Sequence, residues 1–383
     1  MECLFKPSHH LLGKMLDEFV KNEVKPHAKR VDAEEIFPSK TIKKLGDYGL
    51  LGLPFPKAVG GAGGDEIAYA LLIRKLSEAC ATTGVIVSAH TSLCAWPIYT
   101  YGSNHQKEVF LRPLLKGEKL GAFALTEPNA GTDASMQKTV AVDRGDHYEL
   151  SGSKIFITNS GYADIYVVTA LTDPAAKTRG ISTFIVEKGM DGFTVGKKEL
   201  KLGIRGSATS ELILDKVKVP KENLLGQVNK GFKIAMSTLD GGRIGIAAQA
   251  VGIARGAIEE TYRYTEERTQ FGRPIQAFQN TQFKLAEMET TTEAAWLLTL
   301  QAAINKDLSR PYSKAAAMAK LNAATNAMTT TTECLQLFGG YGYTREYPIE
   351  RMMRDAKITE IYEGTNEAQK MVIAGHMRKE RSA

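Results

Sequence analysis

Near the C-terminus the chain places a carboxylate beside a glycine, with an aromatic and an aliphatic residue on its other side. The stretch is Arg354-Asp355-Ala356-Lys357-Ile358-Thr359-Glu360-Ile361-Tyr362-Glu363-Gly364-Thr365. It reads as a short helix or turn that ends at Gly364, where a residue without Cβ lets the backbone turn freely and approach a ligand closely. In the company of Tyr362 and Ile361 the Glu363 carboxyl would be partly desolvated, which raises its pKa toward the range of a general base. Read alone, an ordinary helix-terminal glutamate is the simpler account, so the rest of the chain must decide.

Other chemistry-bearing residues stand apart. His90, in Ser88-Ala89-His90-Thr91-Ser92, is alone and reads as a hydrogen-bonded structural histidine. Cys3, Cys80, Cys94 and Cys334 are far apart with no C-x-x-C pairing, so neither a metal site nor a disulfide framework is expected. Gly60-Gly61-Ala62-Gly63-Gly64 lacks a preceding buried strand and the full G-x-G-x-x-G spacing, and reads as a flexible turn rather than a dinucleotide loop. The Arg144-Gly145-Asp146 tripeptide falls where a hairpin turn is needed.

A length of 383 residues suggests two or three compact units. A hydrophobic content of 43% with 24% charged residues describes a globular chain, not a disordered or fibrous one. The net charge of +6 is spread along the sequence without a basic run, which argues against nucleic acid and suits an anionic small molecule. No apolar run approaches a membrane span and no signal-peptide pattern opens the chain. A cytoplasmic location is expected, or the mitochondrial matrix for a eukaryotic chain with its transit peptide removed.

Residues 1–118 read as an N-terminal α-helical domain: Leu12, Met15, Leu16, Phe19 and Val20 repeat at helical spacing, Pro26 interrupts the pattern, and Ile67 to Leu76 resumes it. Over 119–225 the period changes to two, in Tyr148 and Leu150, Ile155 and Ile157, Ile165 and Val167, Leu212 and Leu214, Val217 and Val219, predicting a small antiparallel β domain. From 226 to 383 the helical period returns. One predicted helix crowds Gly241, Gly242, Gly245, Gly252 and Gly256 among alanines; each glycine costs about 1 kcal/mol relative to alanine, so close packing against helices or a cofactor is expected there. Ala315 to Met328 is a strong helix former, and Phe338 to Tyr343 breaks the pattern.

Four segments, in order on this helix–β–helix background, resemble the acyl-CoA dehydrogenase family: Phe123-Ala124-Leu125-Thr126-Glu127-Pro128-Asn129-Ala130-Gly131-Thr132-Asp133, Phe156-Ile157-Thr158-Asn159, Glu267-Arg268-Thr269-Gln270-Phe271-Gly272 and Ile361-Tyr362-Glu363-Gly364-Thr365. The resemblance covers nearly the whole chain and implies an α+β fold with an N-terminal helical domain, a middle antiparallel β domain and a C-terminal four-helix bundle. Leu239-Asp240-Gly241-Gly242-Arg243 and Phe338-Gly339-Gly340-Tyr341-Gly342 are most similar to the short-chain, butyryl-CoA type, which includes enzymes that run as enoyl-CoA reductases in anaerobic bacteria.

The resemblance implies a base that removes the α-proton of an acyl thioester while a hydride passes from Cβ to flavin N5. Glu363 matches that base, and its backbone N–H is expected to hydrogen-bond the thioester carbonyl and stabilise the developing enolate. A minority of the family carries the base on the long glycine-rich helix; that position here is Gly242, which cannot act. Glu360 precedes the matched motif and reads as a solvated or ion-paired helix residue. For FAD, the resemblance assigns Phe123, Leu125, Thr126 and Thr132 to the ring, Phe156 to stacking on it and Thr158 to a hydrogen bond near N5. Arg268, Gln270, Phe271, Gln279, Gln336, Gly339 and Gly340 resemble segments that bind the ADP half, partly from a neighbouring subunit, with Thr365 and Glu367 completing the set. Asp240 and Arg243 carry over to the CoA substrate, with Thr132 beside the pyrophosphate arm, Leu239 and Tyr362 lining the acyl channel and Gly364 beside the thioester.

Decarboxylating glutaryl-CoA relatives hold the distal carboxylate with an arginine; that position falls at Gly84 and disfavours a dicarboxylic substrate. The implied partners are a short-chain acyl-CoA or enoyl-CoA, electron transfer flavoprotein and further copies in a homotetramer. The rivals are an acyl-CoA oxidase, recognised by peroxide formed in air, and a catalytically silent helical assembly protein, recognised by absence of bound flavin.

Overall fold

The computed structural model describes residues 4–382. Helices come first: α1 (Pro7–Phe19), α2 (Lys25–Ala33), α3 (Ser39–Asp47), α4 (Glu66–Ala79), α5 (Ala81–Ser88), α6 (Trp96–Tyr101), α7 (Asn104–Gln106) and α8 (Arg112–Leu115). Pro26 does not end the first helical rod. A π-helical turn, Val20–Val24, leads straight into α2, where proline occupies the first turn and its missing N–H is not needed. The glycine cluster at 60–64 is pinned rather than flexible. Gly63 and Gly64 donate to the carbonyls of Phe55 and Leu53, both at 2.8 Å, and a Cβ on Gly61 would collide with the Phe55 backbone.

The strands follow: β1 (Gly121–Ala124), β2 (Val140–Asp143), β3 (His147–Thr158), β4 (Ile165–Leu171), β5 (Ile181–Glu187), β6 (Phe193–Lys198), β7 (Thr209–Pro220) and β8 (Leu224–Leu225). They form one sheet in the order β6-β7-β3-β2-β4-β5-β8, with β1 on β4. Pairing is mainly antiparallel, but β1 runs parallel to β4, and Val140 of β2 pairs in parallel with Leu171. The Arg144-Gly145-Asp146 turn joins β2 to β3 as expected, with Gly145 at φ +96°.

β4 is buried at every residue because both of its faces are covered. Tyr166, Val168 and Ala170 face the inner core of the β domain, while Ile165 and Val167 pack with Cys94, Ile98, Leu111 and Leu114 from the N-terminal helices. β3 pairs with β7 through two register shifts, the second between Lys154 and Ile157. That bulge holds Phe156 at φ +58° and turns its ring outward, 60% exposed, while Lys154 and Ile157 both stay buried.

After the sheet come α9 (Gly231–Glu267), the short hairpin β9 (Thr269–Gln270) and β10 (Arg273–Pro274), then α10 (Gln279–Asp307), α11 (Ser313–Phe338), α12 (Ile349–Thr359) and α13 (Asn366–Ser382). α9 has 37 residues and spans about 55 Å at 1.5 Å per residue. Its glycines let α4 and α5 lie directly on it. A Cβ at Gly245 would collide with Tyr69 and Ser88, one at Gly252 with the Arg74 carbonyl, and one at Gly256 with the Glu78 carbonyl. The close packing expected of this helix is therefore helix on helix over these three positions. His90 is buried, accepts the Gly121 N–H on Nδ1 at 3.0 Å and is pushed down by burial to a pKa of about 4, so it is a neutral structural group. Cys80, Cys94 and Cys334 are buried free thiols, and Cys3 lies outside the described residues.

Candidate active site

The Glu363 segment is presented by α12, and α12 is clamped from two sides. Arg354 pairs with Asp32 of α2 at 2.7 Å, and Asp355 accepts the Ile204 N–H from the β6–β7 loop at 2.5 Å. The helix stops at Thr359, five residues before Gly364, and Glu360 to Gly364 form a turn. Glu363 and Gly364 both sit in left-handed backbone conformation, at φ +54° and +82°. For glutamate this is a strained geometry of the kind that persists only when the surroundings hold it.

The holding groups are polar and buried. Gln369 Nε2 donates to the carbonyls of Glu363 (3.1 Å) and Gly364 (2.8 Å), and Lys320 Nζ of α11 donates to the Gly364 carbonyl at 2.8 Å. Thr365 Oγ1 accepts the Ala368 N–H at 3.2 Å and so caps α13. The N–H groups of Glu363 and Gly364 donate to no acceptor among the described residues.

The Glu363 carboxylate lies over α9. A Cβ at Gly242 would sit 2.6 Å from Glu363 Oε2 and 2.8 Å from Leu93 Cδ2, so the bare face of that glycine makes the space in which the carboxylate rests. Oε2 is buried without a hydrogen-bond partner. Burial drives its pKa up to about 7, although the charges of Arg243 and Lys320 pull against it. Glu360, the first residue of the turn rather than a helix residue, is ion-paired with Lys357 at 2.7 Å. The neighbouring Tyr362 hydroxyl bonds to Gln249 of α9, whose amide donates to the Ala81 carbonyl at 2.9 Å.

Asp240 and Arg243 form an ion pair one turn apart on α9, and Ser313 Oγ donates to Asp240 at 2.9 Å. Leu239, one residue earlier, and Phe123 both pack against the cluster of Leu125, Ala134 and Ala235, so the first β segment and the glycine-rich helix meet in one apolar cluster. Behind this cluster the loop from Leu125 to Thr139 is held by a buried charge network. Lys154, fully buried on β3, donates to Glu127 (2.7 Å) and to the Leu125 carbonyl (3.1 Å), and Glu127 accepts the N–H groups of Lys138 and Thr139. At the end of β3, Asn159 Nδ2 ties Ile86 and Gly121 together through their carbonyls, both at 3.1 Å.

The outward Phe156 ring and the side-chain hydroxyls of Thr126, Thr132 and Thr158, which bond to no protein group among the described residues, are a fitting set for a flavin ring. Of the segments expected at the ADP half, Thr365 and Glu367 follow the Glu363 turn directly, and the others lie elsewhere. The Arg268 guanidinium lies 5.7 Å over the Tyr341 ring, Tyr264 stacks on Phe338 at 4.1 Å, and Gln336, Gly339 and Gly340 lie at the adjoining end of α11. Gln279 opens α10, and Glu367 lies exposed in the first turn of α13. Gln270 and Phe271 project on the β9–β10 hairpin, Phe271 being 93% exposed.

The structure thus brings Glu363, Tyr362, Gly364, Arg243, Asp240 and Leu239 to one place. It leaves Arg268, Gln270 and Phe271 on a separate, open face. Reasoning from sequence misses Lys320, Gln369, Gln249 and Lys154. A lone cation within Ala315-Ala316-Ala317-Met318-Ala319-Lys320 is the one signal that could have drawn attention to the first of them. Among the described residues no three His, Cys, Asp or Glu side chains converge as metal ligands, and no helix is long and apolar enough to cross a membrane.

Comparison with known proteins bears on the whole chain. Models of the acyl-CoA dehydrogenase N-terminal, middle and C-terminal domains match residues 6–118, 122–217 and 229–378. The short-chain specific acyl-CoA dehydrogenase of Clostridium acetobutylicum is 57% identical over 365 residues, covering 95% of this chain and 96% of its own. The solved butyryl-CoA dehydrogenase of Megasphaera elsdenii superposes with a TM-score of 0.96 at 49% identity, covering 97% of this chain and 98% of that one. A chain in a structure described for the electron transferring flavoprotein of Acidaminococcus fermentans and flavin-based electron bifurcation gives 0.97 at 51% identity, over 97% of this chain and 98% of its own.

Proposed function

The chain belongs to the acyl-CoA dehydrogenase family, and from that premise we propose that Glu363 is the base that takes the α-proton of the substrate. The enzyme is a flavin-dependent oxidoreductase that introduces a double bond between Cα and Cβ of a short-chain acyl-CoA, or runs the same step in reverse. The observation that carries the assignment is the partnerless Oε2 of Glu363, buried against the bare face of Gly242.

A carboxyl with a pKa near 7 is divided between acid and base at neutral pH, which suits a group that must take a proton in one direction and return it in the other. The uncommitted N–H groups of Glu363 and Gly364 support a second role for the turn: they would donate to the thioester carbonyl as negative charge develops on it. Leu239 and Tyr362 border the acyl chain, Thr132 the pyrophosphate arm, and the Asp240–Arg243 pair the CoA side of the site.

The flavin we take to be FAD; when bound, it supplies the acceptor for the β-hydride. Phe123, Leu125, Thr126, Thr132, Phe156 and Thr158 would hold its ring, and Arg268, Gln270, Phe271, Gln279, Gln336, Gly339, Gly340, Thr365 and Glu367 its ADP half. The nearly complete exposure of Phe271 supports completion of that half by a second copy of the chain, in a homotetramer. Electron transfer flavoprotein is the proposed redox partner.

The test is bleaching of the bound flavin, without oxygen, across a chain-length series of saturated acyl-CoA thioesters. Bleaching that is fastest with butyryl-CoA and falls for longer chains is the expected result. A colourless protein, or bleaching confined to long chains, would overturn the reading. Because each methylene changes binding by about 1–3 kcal/mol, neighbouring chain lengths should be separated clearly.

A further inference from the structure

Lys320 is fully buried in α11, in a run of alanines, and the mechanism above does not use it. It makes no ion pair within 4 Å among the described residues; its hydrogen bonds go to two neutral acceptors, the Gly364 carbonyl at 2.8 Å and Asn366 Oδ1 at 3.3 Å. Asn366 in turn donates its own N–H to the Glu360 carbonyl at 2.9 Å, so one ammonium holds both ends of the strained turn.

Two cations face the Glu363 carboxylate, and they are not equivalent. Arg243 from α9 is already neutralised by Asp240. Lys320 from α11 is not neutralised by a contact partner, and the anions in its field are Glu363 and Glu360 from the turn and Glu367 from α13, with Arg243 opposing. The hydroxyls of Tyr362, on the turn, and Tyr69, from α4, also feel Glu363. A carboxylate without a contact partner and an ammonium without a contact counter-ion are therefore buried in each other's field, where low polarisability makes charge interactions long-ranged.

We propose that Lys320 is a positioning residue: its ammonium fixes Glu363 and Gly364 in left-handed conformation and supplies the uncommitted positive charge that favours the ionised form of the Glu363 carboxylate. This rests on Glu363 being the base. Gln369 is the internal comparison. It donates to the same Gly364 carbonyl and to that of Glu363 but carries no charge, so it shares the mechanical role of Lys320 and not the electrostatic one.

The test measures, in the flavin-loaded protein, the pH dependence of butyryl-CoA bleaching together with amide hydrogen exchange over 360–369, for wild type, K320M, K320Q, Q369L and E363Q. The rising limb of the wild-type profile is expected near pH 7. K320M should move that limb upward by about one pH unit and speed exchange of the turn amides. Q369L should speed exchange with the limb unmoved. A limb that stays in place in K320M, or moves equally in Q369L, overturns the proposal. K320Q keeps a donor without the charge and is read by the same criterion should K320M fail to fold. E363Q separates the two assignments: if it still bleaches at the wild-type rate the base assignment itself fails, whereas a silent E363Q with an unmoved K320M limb removes the role of Lys320 alone.

Discussion

Two glutamates with shielded carboxyl groups, Glu127 in the β domain and Glu363 at the active-site turn, show how partners decide what the same functional group does. Burial opposes ionisation at both. At Glu127 it is overcome by the Lys154 charge, the hydrogen bond from that ammonium and the Lys138 N–H, which together hold the carboxyl below its ordinary range. At Glu363 the two facing cations do not overcome it: one carboxylate oxygen has no donor, and the group is left poised near neutrality. The first carboxylate organises a loop and the second is available for proton transfer. A buried acid whose hydrogen bonds are complete is part of the scaffold, and one whose bonds are incomplete is a candidate for chemistry.

The comparison can be broken most forcefully at Lys154. Replacing it with methionine leaves Glu127 as an uncompensated buried charge, and chemical unfolding should report a loss of about 3–5 kcal/mol. The double variant K154M/E127Q should lose clearly less than the sum of its single changes. Additive losses would mean that the pair is not the organising contact.

The next largest effect has the opposite sign. Glu363 has a folded pKa above its unfolded value, so the folded state holds more protons between about 4.5 and about 7 and stability falls as pH rises through that window. E363Q should therefore be more stable than wild type at pH 8 by on the order of 2–3 kcal/mol and nearly equal to it at pH 4. Glu127 runs the other way: its contribution is present above the unfolded carboxyl pKa and is lost as pH falls through its lower folded value.

Gly242→Ala is subtler. The added methyl meets two movable groups, the Glu363 carboxylate and a Leu93 methyl, while the helix gains about 1 kcal/mol of propensity. Stability should stay within about 1 kcal/mol of wild type, with kcat down about tenfold as the carboxylate is pushed aside. Unchanged turnover would show that the carboxylate does not work from the position seen here. Tyr362→Phe removes one hydroxyl from Gln249 and should cost about 1 kcal/mol of stability, read by thermal unfolding.

Much of this was legible in the sequence where a residue type is forced by geometry or chemistry. The glycines of α9 announce close approach, Glu363 beside Gly364 announces a turn with a desolvated acid, and the 143–147 turn announces its hairpin. Buried polar groups were not legible. Lys320, Gln369 and Lys154 have the composition of surface residues, and only the burial of the segments around them shows that they are interior ties. The bulge in β3 is invisible for a related reason: Ile155 and Ile157 keep the spacing of one strand face, yet the register shift buries Ile157 and turns Phe156 outward. β4 follows no alternation because helices cover its second face. The turn's strain depends on donors from α11 and α13, distant or featureless in the local pattern, so the sequence around Glu363 leaves helix and turn as alternatives up to Gly364, whereas the helix in fact stops at Thr359.

The central claim, that the carboxylate left without a partner is the base, is tested most directly by rapid anaerobic mixing of the flavin-loaded Glu363→Gln protein with butyryl-CoA. The account predicts that the thioester still binds while flavin bleaching slows by at least about 100-fold. Bleaching at the wild-type rate would contradict it.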